Sequence, residues 1–201
     1  MIAIVDYGAG NLFSVANALE HLSISYQITQ EPQALYESDG VLLPGVGAFP
    51  DAMAMLREKD LIPILRQMAK KKPFLGICLG MQVLFCQGEE FCLTKGLGLL
   101  KGQVKKMNPP GLKIPHMGWN SLHLTEKGKK HPLFKYSKEG DYVYFVHSFY
   151  GKDCDESLLA TSEYGIPVTA SAANENVMGC QFHPEKSGEV GLRILKAFSE
   201  I

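Results

Sequence analysis

Cys78 stands in Gly76-Ile77-Cys78-Leu79-Gly80, behind the apolar run that starts at Phe74 and ahead of a segment with helical spacing from Leu79 to Cys86. A nucleophile flanked by glycines at this spacing fits a sharp strand-to-helix turn, because side chains two residues to either side would collide inside it. A helix starting at Leu79 would aim its positive dipole end at the thiol and favour the reactive thiolate. A buried structural cysteine beside a helix could carry the same pattern. Thiolate chemistry also needs a proton carrier, and six histidines compete, at positions 21, 116, 123, 131, 147 and 183. His21 ends a helical pattern, His123 falls within a strand pattern and His131 lies in a polar loop. His183 differs, because it opens His183-Pro184-Glu185 directly after the strand-like run 177–182. Proline fixes its own φ and biases the residue before it away from helix. Glu185 can then curl back and accept a hydrogen bond from the imidazole, completing a Cys–His–Glu triad, although an ordinary turn could hold the same three residues.

Acyl chemistry at Cys78 would also require donors for an oxyanion. The Leu79 N–H, next after the nucleophile, is one, and Pro44-Gly45-Val46-Gly47 could present a second. Each such donor contributes about 3–4 kcal/mol in the transition state. The glycines of that loop could instead suggest phosphate binding. The chain lacks GxxxxGK[ST], however, and Gly8-Ala9-Gly10 has no third glycine at G-x-G-x-x-G spacing.

These residues need a scaffold that ends several strands at one edge. The first half alternates short apolar runs (2–5, 26–29, 41–43, 74–77) with amphipathic helical patterns. That alternation predicts a parallel sheet with right-handed crossovers. The second half predicts strands near 104–107, 120–124, 142–146, 158–161, 168–172 and 177–182, with few helices between, and a closing helix from Gly188 to Phe198. The expected fold is a three-layer α/β/α domain of flavodoxin-like type, its central sheet mostly parallel with added antiparallel strands. In open sheets of this type, sites form beyond the carboxyl ends of the strands. The stretch 125–140, rich in Lys, Gly and Ser, reads as an exposed loop with some local structure.

At 201 residues, a single domain spanning 1–201 is expected, with room for a core that needs no disulfide or metal. Hydrophobic residues at 46% and charged residues at 20% are an ordinary globular balance. Twenty basic against 21 acidic residues leave a net charge of −1, without the basic surplus that nucleic-acid binders carry. The lysine runs at 70–72 and 127–130 read as solvated faces. No apolar run approaches the roughly 18 residues of a membrane span, and Met1-Ile2-Ala3-Ile4-Val5-Asp6 reads as a first strand rather than a signal peptide. The five cysteines, at 78, 86, 92, 154 and 180, form an odd set without CxxC spacing, which points to free thiols in a reducing cytoplasm and to no metal site. Cys86 is expected in buried packing on the helix after Cys78, and Cys92 and Cys154 at loop or edge positions.

Gly76-Ile77-Cys78-Leu79-Gly80-Met81-Gln82, taken with Gln181-Phe182-His183-Pro184-Glu185, resembles the class I (triad) glutamine amidotransferases. Within that family the chain is similar to the branch of glutaminase subunits of imidazole glycerol phosphate synthases. The marks of that branch are the segments 6–12, 44–49, 115–120, 144–150 and 185–187, which span nearly the whole chain in family order. The resemblance implies that Cys78 attacks the side-chain amide of L-glutamine, that His183 moves the proton, and that Glu185 orients His183. It implies an oxyanion hole from Leu79 and the Gly45–Val46 peptide, and substrate contacts from Gly47, Gln82, His147, Ser148 and Phe149. The implied partner is a cyclase subunit with a (β/α)8 barrel, forming a heterodimer in which Met117, Trp119, Asn120 and Lys186 sit at the interface. No cofactor, nucleic acid or membrane is implied. Three rival readings are a paralogous glutaminase subunit feeding a related barrel synthase, such as one for surface-sugar amidation, a cysteine hydrolase of the same sheet type, and a binding module without activity. For Trp119 the plain alternative is a core aromatic, and for Lys186 a solvated surface lysine.

Overall fold

The computed structural model describes residues 1–201. Along the chain run β1 (Ile2–Val5), α1 (Leu12–His21), β2 (Tyr26–Thr29), α2 (Pro32–Glu37), β3 (Gly40–Gly45), α3 (Phe49–Glu58), α4 (Leu61–Ala69) and β4 (Phe74–Cys78). There follow α5 (Leu79–Gln82), β5 (Phe85–Gly88), β6 (Thr94–Lys95), β7 (Leu100–Lys106), β8 (His116–Ser121), β9 (His123–Leu124), α6 (Glu126–Lys130), β10 (Tyr142–His147) and β11 (Phe149–Lys152). The chain closes with β12 (Leu158–Glu163), β13 (Pro167–Asn174), β14 (Val177–Cys180) and α7 (Gly188–Ser199).

Eight strands form the main sheet in the order β2-β1-β3-β4-β14-β13-β12-β9. The first five run parallel, and β13, β12 and β9 join antiparallel. Strands β3 and β4 are buried along their whole length, as expected for parallel strands covered on both faces. The two-residue period of a strand splits its side chains between two cores. Ala3, Val5, Val41, Leu43 and Phe74 join α3 and α4 on one face, while Ile2, Ile4, Leu42, Leu75 and Ile77 join α1 and α7 on the other. This is the three-layer arrangement the alternation implied. Asn11 starts α1 by accepting the Ser14 N–H at 3.3 Å, and the αL residue Asp60 separates α3 from α4. No helix is long and apolar enough to cross a membrane.

Three expectations need correction. The helix after Cys78 ends at Gln82 rather than Cys86. The carbonyls of Val83, Leu84 and Phe85 accept from the segment 97–100 instead of from their own helix, so the chain passes into β5. That strand pairs parallel with β7 within a four-stranded sheet, β11-β7-β5-β6. Cys86 therefore lies exposed on a strand, not buried on a helix. Two lysines of the supposedly solvated runs are also anchored. Lys72 Nζ donates to the Leu35, Tyr36 and Ser38 carbonyls at the end of α2, and Lys127 Nζ donates to the Glu156 and Ala173 carbonyls. In the stretch 125–140, α6 and a 3-10 turn at Pro132–Phe134 supply the local structure, with Leu133 and Phe134 buried.

Candidate active site

Cys78 is the last residue of β4 and has φ 55° and ψ −112°. Such angles cost a residue with a Cβ about 1–3 kcal/mol and persist only where the surroundings enforce them. The enforcement here is backbone contact. A Cβ on Gly76 would stand 2.7 Å from the Gly80 carbonyl carbon, and one on Gly80 would strike the Leu43 carbonyl. The two glycines that flank the nucleophile are therefore sites where main chain passes against main chain. Gly45 belongs to the same junction. It pairs in register with Cys78, and a Cβ on it would meet Tyr7 Oη at 2.6 Å and the Gly80 nitrogen at 2.7 Å.

His183 follows β14 in extended backbone and begins a 3-10 turn, Pro184–Lys186. Its own N–H donates to the Tyr144 carbonyl at 2.9 Å. Ser187 Oγ donates to the His183 carbonyl at 2.6 Å and accepts the Tyr144 N–H at 2.9 Å. The turn is thus fastened to β10, and the imidazole with it. A carboxylate accepts only, so His183 Nδ1–H donates to Glu185 Oε1, at 2.7 Å. Both side chains are almost wholly enclosed. Burial alone would lower the His183 pKa, but hydrogen bonding to Cys78 and the Glu185 carboxylate outweigh it and push it up to about 10. The imidazolium held between thiol and carboxylate is the charge complement of a thiolate.

A pocket of about 370 Å³ opens over Cys78. Val46, Gly47, Leu79, Gln82, His147, Ser148, Phe149 and His183 all line it. The sheet thus gathers nucleophile, base and the expected substrate-contacting segments in one hollow beyond the carboxyl ends of β3, β4 and β14. Glu185 stands behind His183 rather than in the hollow, and Gly45 is buried in β3 beside it. Gln82 Nε2 donates to the Phe149 carbonyl at 2.9 Å and to Gln181 Oε1 at 3.0 Å. Gln181 Nε2 in turn lies 3.8 Å from Cys78 Sγ.

Met117, Trp119, Asn120 and Lys186 lie outside the pocket. Trp119 is 55% exposed and Met117 62% exposed on the β8–β10 pair, so Trp119 is not a core aromatic. Lys186 is exposed, and Asn120 is half-buried and donates to the Glu163 carbonyl at 2.7 Å. Met117 pairs across the strands with Val146, which lines the pocket, so this face and the pocket are one strand apart.

Two neighbours of the site received no role from the sequence. Glu90 supplies the only carboxylate of the pocket lining and accepts the Phe49 N–H at 2.8 Å. It follows β5 in a loop, where no spacing singles out an acid. Gln181 sits in the motif beside His183 but reaches Cys78 only through strand pairing. A second hollow, of about 340 Å³, lies between Tyr150 and Thr169. It holds no nucleophile–base pair, and burial pushes its Cys154 thiol up in pKa.

A family model for class-I glutamine amidotransferases matches residues 3–200. The chain is 48% identical to "Imidazole glycerol phosphate synthase subunit HisH" of Bacillus cereus, with 100% of this chain and 95% of that protein covered. It is equally similar, with the same coverage, to the protein of that name in Bacillus cytotoxicus. Among solved structures, PurLQS from Thermotoga maritima superposes with a TM-score of 0.76 at 22% identity, over 98% of this chain and 96% of the other. The glutaminase domain of Trypanosoma brucei CTPS, with bound acivicin, superposes at 0.66 and 20% identity, over 99% and 93%. At those identities the structural likeness speaks for the fold.

Proposed function

The chain belongs to the class-I glutamine amidotransferase family, and from that premise we propose that it is the glutaminase subunit of an imidazole glycerol phosphate synthase in L-histidine biosynthesis. The observation that carries the reading is the strained Cys78 in one pocket with His183, which Glu185 holds from behind. The Cys78 thiolate attacks the side-chain amide carbon of L-glutamine. The oxyanion that forms is met by the Leu79 N–H and by the Gly45–Val46 peptide. His183 gives its Nε2 proton to the departing nitrogen, and ammonia leaves as the glutamyl thioester forms. His183 then takes a proton from water, the resulting hydroxide attacks the thioester, and glutamate leaves with the thiolate restored. Glu185 holds His183 with Nδ1 protonated throughout, so Nε2 stays free for both transfers. Gly47, Gln82 and the segment His147-Ser148-Phe149 hold the polar groups of the substrate backbone. Glu90 provides the charge that an α-ammonium requires.

The ammonia is delivered to a cyclase subunit with a (β/α)8 barrel, the two chains forming a heterodimer in the cytoplasm. The cyclase uses it on a phosphoribulosyl-formimino-AICAR phosphate to make imidazole glycerol phosphate and AICAR. Ammonia released into neutral water becomes ammonium, which has no lone pair for attack, so a sheltered transfer preserves its reactivity. The exposed Met117 and Trp119, one strand from the pocket, support that face, with Asn120 and Lys186, as the partner's seat. Residues 1–201 act as one glutaminase domain.

The test is to mix this chain with its cyclase partner, then follow glutamine-dependent and ammonia-dependent synthesis. Cys78→Ala is expected to abolish the first and leave the second. Glutamine-dependent synthesis that survives in Cys78→Ala would remove Cys78 from the mechanism.

A further inference from the structure

Beneath the exposed Met117–Trp119 face, two histidines form a buried pair, one of which, His116, has no part in the glutaminase steps. His116 on β8 and His147 on β10 are cross-strand partners, 2% and 5% exposed, and His116 Nδ1 lies 3.1 Å from His147 Nε2. Their surroundings fix which nitrogen carries each proton. His147 Nδ1 lies 2.8 Å from the Phe149 carbonyl, which can only accept, so His147 is protonated at Nδ1. Burial, above all, pushes both histidines down to about 4, so each ring is neutral at neutral pH and carries one proton. His147 Nε2 must then accept, and His116 must donate from Nδ1. That leaves His116 Nε2 as an acceptor, and the Asn120 amide nitrogen lies 3.4 Å from it. His116 is also clamped between two rings, Phe145 at 4.7 Å and Tyr164 at 4.1 Å between centroids.

The result is a one-way series of donors. Asn120 donates to His116, His116 to His147, and His147 to the Phe149 carbonyl. Gln82 reaches the same carbonyl from the other side and continues through Gln181 to Cys78 Sγ. Of the members between Asn120 and Cys78, His147, Phe149 and Gln82 line the pocket, whereas His116 does not touch it.

We propose that His116 is a positioning residue for glutamine binding: by donating to His147 Nε2 it holds that ring in the tautomer and orientation that pin the Phe149 carbonyl and the pocket wall carrying it. The inference rests on reading the Cys78 pocket as the glutamine site. Since His116 acts on a wall present before and during the reaction, its loss weakens ground-state and transition-state binding alike, which raises KM and spares kcat.

The test uses the complex of the full chain with its cyclase partner. His116→Phe keeps a ring between Phe145 and Tyr164 but removes the donor. It is expected to raise the KM for glutamine about fivefold, with kcat within about twofold, the effect of one neutral hydrogen bond. His116→Asn places an amide N–H near the position of Nδ1 and is expected to restore the KM. An unchanged KM in His116→Phe, or an equal rise in both variants, would overturn the proposal. If the unsubstituted complex turns over no glutamine, the glutaminase reading fails instead. Nitrogen-15 NMR of the histidine-labelled unsubstituted chain gives an independent outcome, needing no variant to fold. Protons on Nδ1 of both His116 and His147 support the series, and a proton on Nε2 of either ring sinks it.

Discussion

Cys78 holds its Cβ at φ 55° and ψ −112°, and most of what makes the residue unusual follows from that. Replacing it by alanine removes the thiol but keeps the strained Cβ. Glycine removes both, at the cost of a floppier unfolded chain. Cys78→Gly is therefore expected to be more stable than Cys78→Ala by about 1 kcal/mol, with both inactive. Urea denaturation of the two variants measures the difference directly. The nucleophile was legible in the sequence because its glycines are required by local geometry, at fixed spacing. His183 and Glu185 were legible for the same reason, two residues apart with a proline between. Glu90 and His116 were not, because each reaches its place through distant pairing: Glu90 by way of Phe49, His116 by way of β10. No spacing along the chain encodes such a neighbour.

The elements show where periodicity suffices and where it runs out. The alternation of buried strands and amphipathic helices through residue 78 could be read because each run is long enough to show its period. Residues 83–85 are apolar throughout and suit a helix or a strand equally. The choice was made by the segment 97–100, which takes their carbonyls. Strand β6, with two residues, has no period to detect. The elbow between β4 and α5 relies on Gly80 for contact with β3 more than for freedom of rotation. Gly80→Ala would push a methyl group into the Leu43 carbonyl. It is expected to cost about 3 kcal/mol through overpacking, read as a lower midpoint in chemical denaturation. Activity should fall with it, since Cys78 and Leu79 are carried by the same turn.

At the scale of the molecule, buried histidines set opposite limits on pH. The folded His183 pKa is raised from 6.5 to about 10, so its contribution is complete below pH 6.5 and is lost as pH rises through about 10. His116 and His147 are lowered from 6.5 to about 4. Between those values the unfolded chain binds the additional protons, and stability falls on acidification through that window. Urea denaturation across pH is expected to show a maximum near neutrality, and His183→Gln to flatten the alkaline side. Trp119 offers a second test at this scale. With half its surface in solvent, Trp119→Ala is expected to leave stability within about 0.5 kcal/mol. It is also expected to weaken binding between the two subunits by about 2 kcal/mol, as loss of an aromatic anchor does, which titration calorimetry with the cyclase partner measures. Balanced charge and one-domain size, uninformative by themselves, suit a chain whose main macromolecular partner is another protein.

The two sides of the pocket differ in a mechanical sense. Behind Cys78 the backbones of β3, β4 and α5 touch at Gly76, Gly80 and Gly45 with no slack for adjustment. Across from it, Val46 and Gly47 stand at the surface, and a Cβ on Gly47 would find nothing within 4 Å. The site is built like a vice with a packed anvil and an open jaw. The nucleophile cannot be retuned without disturbing the sheet, whereas the side facing it has open space around Gly47. A change in catalytic output that leaves the fold intact enters more readily through the walls facing Cys78 than through the turn that carries it.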